Sequence, residues 1–440
     1  MRAGAPIWRD GVAGPEYPRL DAAGVRADVA VIGGGFAGLS AAYHLLGRWP
    51  GARVVLLEAE RLGAGASGRT TGMLGPGVGQ SLPALVRRHG PDRARALYLA
   101  SLGAVEAVAA LVARERIACE LEMTGQLVVA RSRGGVARLR ATITALQALS
   151  LPCEVLDRDE LEQRVYLAAS APQAPAAIRL PLAGTLHPLR LLHGLAERVV
   201  ARGGQIFEHA RVRRLAHGAR VRLELERGAA VSADRVVVAT AGYTPEIGLF
   251  RGRLLPVHLQ VVATEPLDSG TRDALGWKGR EGIIDSRRVF DYFRLTADDR
   301  LVFGGGRPRY YWGGRAEGPT ARAAALDDLA RELHRTFGAG LDLRVERGWT
   351  GVIGYVVDAL PAIHRLRDRP AVLHAVGWCG HGVALSLASG AWLTDIICEG
   401  AAPEDLPWFR TDPPLLRGEL TRWAGFQGSV RLMKLLDRLA

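Results

Sequence analysis

Asp28-Val29-Ala30-Val31-Ile32-Gly33-Gly34-Gly35-Phe36-Ala37-Gly38 decides the fold. Asp28 to Ile32 is a short, β-branched run closed by glycine, which reads as a buried strand. Helix formers follow from Phe36 to Leu46. Between them Gly33, Gly35 and Gly38 keep the GxGxxG spacing. Gly33 permits a tight turn, Gly35 lets a pyrophosphate approach the backbone, and Gly38 lets the helix pack closely on the strand. The helix start offers free N–H groups and a positive dipole end to the phosphates. Val29 to Leu46 is apolar enough to suggest a membrane span, but the glycine run inside it and Asp28 before it favour a strand and then a helix.

Working outward, Arg53 to Leu57 is a second apolar run, closed by Glu58. That acid stands about twenty residues after the glycines, where a carboxylate binds ribose hydroxyls. The opening is therefore strand, glycine turn, helix, strand: one βαβ unit. The signature alone does not separate NAD from FAD. Gly63-Ala64-Gly65-Ala66-Ser67-Gly68-Arg69 comes next, with Gly72 to Pro76 behind it. A loop this rich in glycine lets backbone come close to a large flat ligand.

Further along, helical patterns run over Pro91–Arg116, Pro188–Arg202, Ala321–Phe337 and Gly382–Cys398. A second buried strand, Asp234 to Val238, ends in Thr240-Ala241-Gly242. Between residues 255 and 306 the pattern turns to strands: 258–264, 289–295 and 301–304. Trp423 to Leu439 forms an amphipathic terminal helix that reads as a docking element. The expected class is α/β. A Rossmann-like cofactor domain is assembled from residues 1–85, 186–250 and 345–440. Residues 86–185 and 251–344 make an inserted α+β substrate domain on a mostly antiparallel sheet.

The formal charge of +12 comes from arginines spread along the chain, with lysine only at positions 278 and 434. No run of five or six like charges and no recognition motif accompanies it, which argues against nucleic acid. Cys119, Cys153, Cys379 and Cys398 form no CxxC pair and no Cys/His cluster, so no metal is expected. The start, MRAGAPIWRDG, lacks a signal-peptide core. Together these read as a reduced, cytoplasmic protein without a stable membrane anchor.

The stretches ADVAVIGGGFAGLSAAYHL, LLEAERLGAGASGRTTG, VVVATAGYTP, LLPVHLQVVATEPL, DYFRLTADDRLVFGGG and GWCGHGVALSLASG, in this order, resemble the D-amino-acid oxidase, glycine oxidase and sarcosine oxidase superfamily of FAD enzymes. The resemblance covers nearly the whole chain and is greatest to the branch containing gamma-glutamylputrescine oxidase. It implies FAD, with Gly33, Gly35, Phe36, Ala37 and Gly38 at the pyrophosphate and Glu58 and Ala59 at the ribose. It further implies Ser67, Arg69 and Thr70 along the pyrophosphate and flavin, and Val212 at the adenine. Thr240, Ala241 and Gly242 would pass behind the cofactor. Gly380, His381, Gly382 and Val383 would start the last helix under the flavin pyrimidine ring, where a helix N-terminus stabilises the negative charge of the reduced ring. Two departures from the family bear on attachment. Residues 350–358 lack the cysteine, and residues 60–80 the histidine, that carry covalent flavin in some members, so the FAD is expected to be noncovalent.

The implied reaction is hydride transfer from the carbon bearing nitrogen to flavin N5, giving an imine that hydrolyses, with O2 as acceptor. Strand alternation puts Tyr292, Arg294 and Thr296 of DYFRLTADDR on one face. Family members carry a substrate-binding arginine on this strand two residues further along, and Arg294 is the nearest match on that face. His258 and Gln260, on one face of a neighbouring strand, are weaker pocket candidates. His381 is read either as a catalytic-site residue or as a cap. Two rivals stay open: a dehydrogenase that passes electrons to a quinone or partner protein, and a non-catalytic flavin-binding subunit.

Overall fold

The computed structural model describes the chain apart from residues 1, 22, 169–174, 217, 317–322, 403–404 and 440. The opening unit forms as its residues dictate. Strand Ala23–Ile32 turns at the glycines into helix Phe36–Arg48, and strand Val54–Leu57 follows. Gln205–Phe207, Val54–Leu57, Ala23–Ile32, Ala230–Val238 and Arg369–Val376 lie side by side, all parallel. Antiparallel ribbons extend this sheet at Val212–Ala216, Val221–Leu225 and Ala362–Leu366. Val29, Val31, Val54 and Val237 are buried, as a parallel sheet covered by helices requires. Helices Phe36–Arg48 and Gly382–Cys398 cross so closely that a Cβ on Gly390 would lie 2.4 Å from the Ser40 carbonyl carbon.

The second sheet is nine-stranded among the described residues. Its order is Arg2–Ala3, Val345–Tyr355, Leu255–Pro266, Arg300–Tyr310, Tyr292–Leu295, Gly282–Asp285, Gln126–Val129, Ala177–Leu180, Glu154–Leu156. It is antiparallel except where Arg2–Ala3 pairs with Val345–Tyr355 and where Gly282–Asp285 pairs with Gln126–Val129. Strand Val345–Tyr355 pairs along its length with Leu255–Pro266, so the return to the parallel sheet comes after Tyr355 and not at the expected residue 345. The helix expected from Ala321 runs Ala323–Phe337, its first two residues lying outside the described residues.

Helix Pro91–Glu115 is long and apolar enough to cross a membrane. Here Leu97, Val105 and Val108 are buried in the core that surrounds helix Gly382–Cys398. The C-terminal helix, Glu419–Leu439, lies against strand Arg300–Tyr310. Its inward residues Phe426 and Val430 reach the cavity between the two sheets.

Candidate functional site

A cavity of about 950 Å³ runs from the Gly33 turn to the face of the nine-stranded sheet. At the turn, Gly33 has φ +107, and a Cβ there would lie 2.6 Å from the Ala239 carbonyl oxygen. Only glycine fits both demands. A Cβ on Gly38 would lie 1.9 Å from Gly33 O, so Gly38 serves packing and does not line the cavity. Gly35, Phe36 and Ala37 do line it. The Phe36 N–H donates to Ser67 Oγ at 3.1 Å. Glu58 accepts from the Gly34 N–H (2.7 Å) and the Glu60 N–H (3.0 Å). Burial pushes the Glu58 carboxyl above its ordinary range.

Ala59, Ser67, Arg69, Thr70 and Val212 also line the cavity. Thr240 and Ala241 also line it, whereas Gly242 packs against Val352 and Ile353. Arg69 is fixed through Nε to Ala64 O (2.7 Å) and through Nη1 to Thr350 O (3.0 Å). Sequence reasoning missed two supports of this segment. Trp349 donates to Arg69 O at 2.9 Å, and Trp8 donates to Thr70 O at 2.8 Å. Both come from far away in the chain and belong to no local motif.

Gly380, His381, Gly382 and Val383 line the opposite wall at the start of the last core helix. His381 is the helix cap by position but makes no side-chain cap bond. Its Nδ1 is buried without a partner, and burial holds the imidazole below its ordinary pKa. Beside it the Cys379 thiol is pushed up to about 12 by burial.

On the nine-stranded sheet, Val257, Leu259, Val261, Ile284, Tyr292 and Ile353 face the cavity. Burial raises the Tyr292 hydroxyl far above its ordinary pKa, so it stays protonated. Two expected pocket residues are elsewhere. His258 is only 5 % exposed, bonds through Nε2 to Arg315 O (3.0 Å) and stacks edge-on against Tyr311. It alternates with cavity-facing Val257 and Leu259, and so points to the other side of the strand; Gln260, also absent from the cavity wall, shares its phase.

Arg294 shares the face of Tyr292 but not its surroundings. It is 2 % exposed and does not reach the cavity. Its guanidinium donates to Thr71 O (2.7 Å), Leu186 O (2.8 Å) and Leu295 O (3.2 Å), and sits 5.1 Å from the Trp8 ring. Burial lowers it to about 10. The expected substrate-carboxylate anchor is therefore a backbone clamp. Thr296, the third residue of that face, bonds to Asp298 and Arg300. Residues not foreseen line the substrate end instead: Gln126, Arg288, Tyr355 and, from the C-terminal helix, Phe426, Val430 and Met433. No local motif marks them; only the tertiary fold brings them together.

Residues 28–396 match the family described as DAO, FAD dependent oxidoreductase. The chain belongs to that family. Gamma-glutamylputrescine oxidoreductase of Escherichia coli (strain K12) is 28% identical over 379 residues, 85% of this chain and 84% of that protein. Sarcosine oxidase subunit beta of Rhizobium meliloti (strain 1021) is 24% identical over 423 residues, 93% of this chain and 91% of that protein. The structure of glycine oxidase from Geobacillus kaustophilus superposes with a TM-score of 0.73 at 20% identity, over 90% of this chain and all of that one.

This member of the FAD-dependent oxidoreductases has a site that suits FAD on its own geometry. The turn excludes any Cβ where backbone must approach a pyrophosphate, and the partnerless His381 Nδ1 stands at the far end of the same cavity. Gly33, Gly35, Phe36, Ala37 and Ser67 would hold the phosphates, and Glu58 the ribose. The expectation of no metal concerns a different kind of site; among the described residues no group of three or more His, Cys, Asp or Glu could hold an ion.

Proposed function

We propose that the protein oxidises the carbon–nitrogen bond of a small amine or amino acid to an imine, with oxygen as acceptor. FAD, when bound, supplies the hydride acceptor. One observation carries the reading: the carboxylates that line the cavity, Glu58, Glu60 and Glu246, all lie at its dinucleotide end. The substrate end offers Tyr292, Gln126, Tyr355, Arg288 and apolar side chains. Among the described residues that line this end an ammonium finds no counter-ion and is disfavoured by desolvation, so the amine binds neutral, its reactive form. For a free amine of pKa about 10, deprotonation near pH 7 costs roughly 4 kcal/mol, and a site that disfavours the ammonium draws that cost from binding.

With Arg294 occupied by backbone, Arg288 is our candidate for the polar end of the substrate. It lines the cavity and pairs with Asp437 at 3.3 Å, its backbone N–H bonding the same carboxylate. Arg288→Ala is expected to raise KM for a carboxylated amine at least tenfold and to leave KM for an alkyl amine of equal length unchanged. Equal effects on both would remove Arg288 from substrate recognition. Peroxide formed in step with the aldehyde or keto product tests the acceptor; product with reduced dye and no peroxide supports the dehydrogenase reading instead.

We further propose that the FAD is noncovalent. Cys379 is the one cysteine of the four that lines the cavity, and its high pKa leaves almost no thiolate at neutral pH. Acid precipitation should release the flavin to the supernatant. Flavin retained in the protein pellet would show a covalent link.

A further inference from the structure

The C-terminal helix is fastened at both ends and bare on its outer side. Near its start, Glu419 accepts from Tyr310 Oη (3.1 Å) and the Gly313 N–H (2.7 Å). Near its end, Asp437 accepts from the N–H groups of Arg288 and Val289, both at 3.1 Å, and pairs with Arg138 at 3.1 Å. On the outside, Leu432, Leu435 and Leu436 are 56 %, 51 % and 38 % exposed. Their spacing of three and four residues makes them one stripe. Leu420 adds exposed apolar surface near the helix start, whereas Trp423, nine residues before Leu432, lies on the other side of the helix, where Trp312, 54 % exposed, meets it edge-on at 6.1 Å.

A cationic flank runs beside the stripe. Arg431 and Arg438 are exposed, seven residues apart and so on one face of the helix. Arg307 and Arg309 lie on the neighbouring strand; Arg307 donates through Nη2 to Gln427 Oε1 at 2.8 Å, and the Nε of each is buried without a partner. Burial first, then the charges of Arg431 and Arg309, push the Arg307 guanidinium down. Asp437 is already committed to the loop at Arg288.

We infer that this face docks on an acidic phospholipid surface, with the leucine stripe entering the interface, Arg431 and Arg438 meeting the headgroups, and Arg307 and Arg309 adding positive charge beside them. An apolar stripe with adjacent arginines is the pattern of an interfacial helix. Met433, which lines the cavity, adjoins Leu432 and Leu436 on the helix, so the cavity wall borders the docked face.

The test is cosedimentation of the FAD-loaded protein with vesicles of phosphatidylcholine alone or mixed with phosphatidylglycerol. The protein is expected to sediment only with the mixed vesicles and to be released by added salt. Leu432→Ser/Leu435→Ser should abolish sedimentation with flavin content and Tm unchanged, since neither residue lines the cavity or is buried. Arg431→Glu/Arg438→Glu should weaken it on the order of tenfold or more. Wild-type protein left in the supernatant with both vesicle types would overturn the inference. So would equal binding to neutral vesicles, or undiminished binding of the serine variant. A wild-type dimer in light scattering that the serine variant converts to monomer would assign the face to a second copy and overturn it as well.

Discussion

Arg294 shows what a strand pattern can and cannot say about one residue. Alternation placed it on the face of Tyr292, and it is there. One pleat along, however, that face meets the Thr71 and Leu186 carbonyls and Trp8 in place of the cavity. Depth along a strand depends on what packs over it, which no period-two reading contains. Arg294→Ala leaves buried carbonyls without donors and is expected to cost roughly 3 kcal/mol or more of stability. It should also loosen flavin retention, because Thr70 and Thr71 line the cavity. KM should hardly change in the molecules that keep FAD. A normal Tm with a large rise in KM would restore Arg294 to the substrate. The glycines are read more directly, since their role is local backbone geometry. A Cβ on Gly35 would stand 2.9 Å from Ser67 Oγ, at the cavity wall. Gly35→Val should therefore fold and lack flavin. Full flavin content in that variant would move the cofactor elsewhere.

Among the elements, helix Pro188–Ala201 has an unusual start. Its N-cap is His187, whose Nδ1 accepts from the Arg190 N–H at 3.2 Å, so that nitrogen must be unprotonated. Burial first, then the charges of Arg190 and Arg294, lower the imidazole from 6.5 to about 4. The folded protein thus refuses a proton that the unfolded chain accepts. The contribution is fully present above pH 6.5 and is lost as pH falls toward 4. Protonation would break the cap as well as charge a buried ring. His187→Asn keeps a capping oxygen and removes the titration. Its urea midpoint should vary less between pH 6.5 and 4.5 than that of the parent; parallel curves would mean that His187 does not titrate in this range. The pattern of strands followed the same logic as the helices. Buried parallel strands ending in glycine were recognisable one by one, while Val345–Tyr355 was not assignable to its sheet, because both sheets bury such runs.

At the scale of the molecule, the parallel sheet supplies the dinucleotide turn and the antiparallel sheet supplies the opposite wall. The cofactor half of the site was legible because its residues cluster in short motifs: Gly33 to Ala37, Glu58, Ser67 to Thr70, and Gly380 to Val383. The substrate half was not. Gln126, Arg288, Tyr355 and Phe426 converge from four distant elements, and their meeting depends on the register of the nine-stranded sheet and the seat of the last helix. The resulting cavity holds its lining acids at one end, and on the proposed function the other end takes a neutral amine. Anaerobic addition of amines and amino acids to the purified yellow protein, followed by visible absorbance, tests this most directly. At least one small amine or amino acid should bleach the flavin without oxygen, and admitted air should restore the colour. Bleaching by a 2-hydroxy acid, with none by any amine or amino acid, would contradict the account.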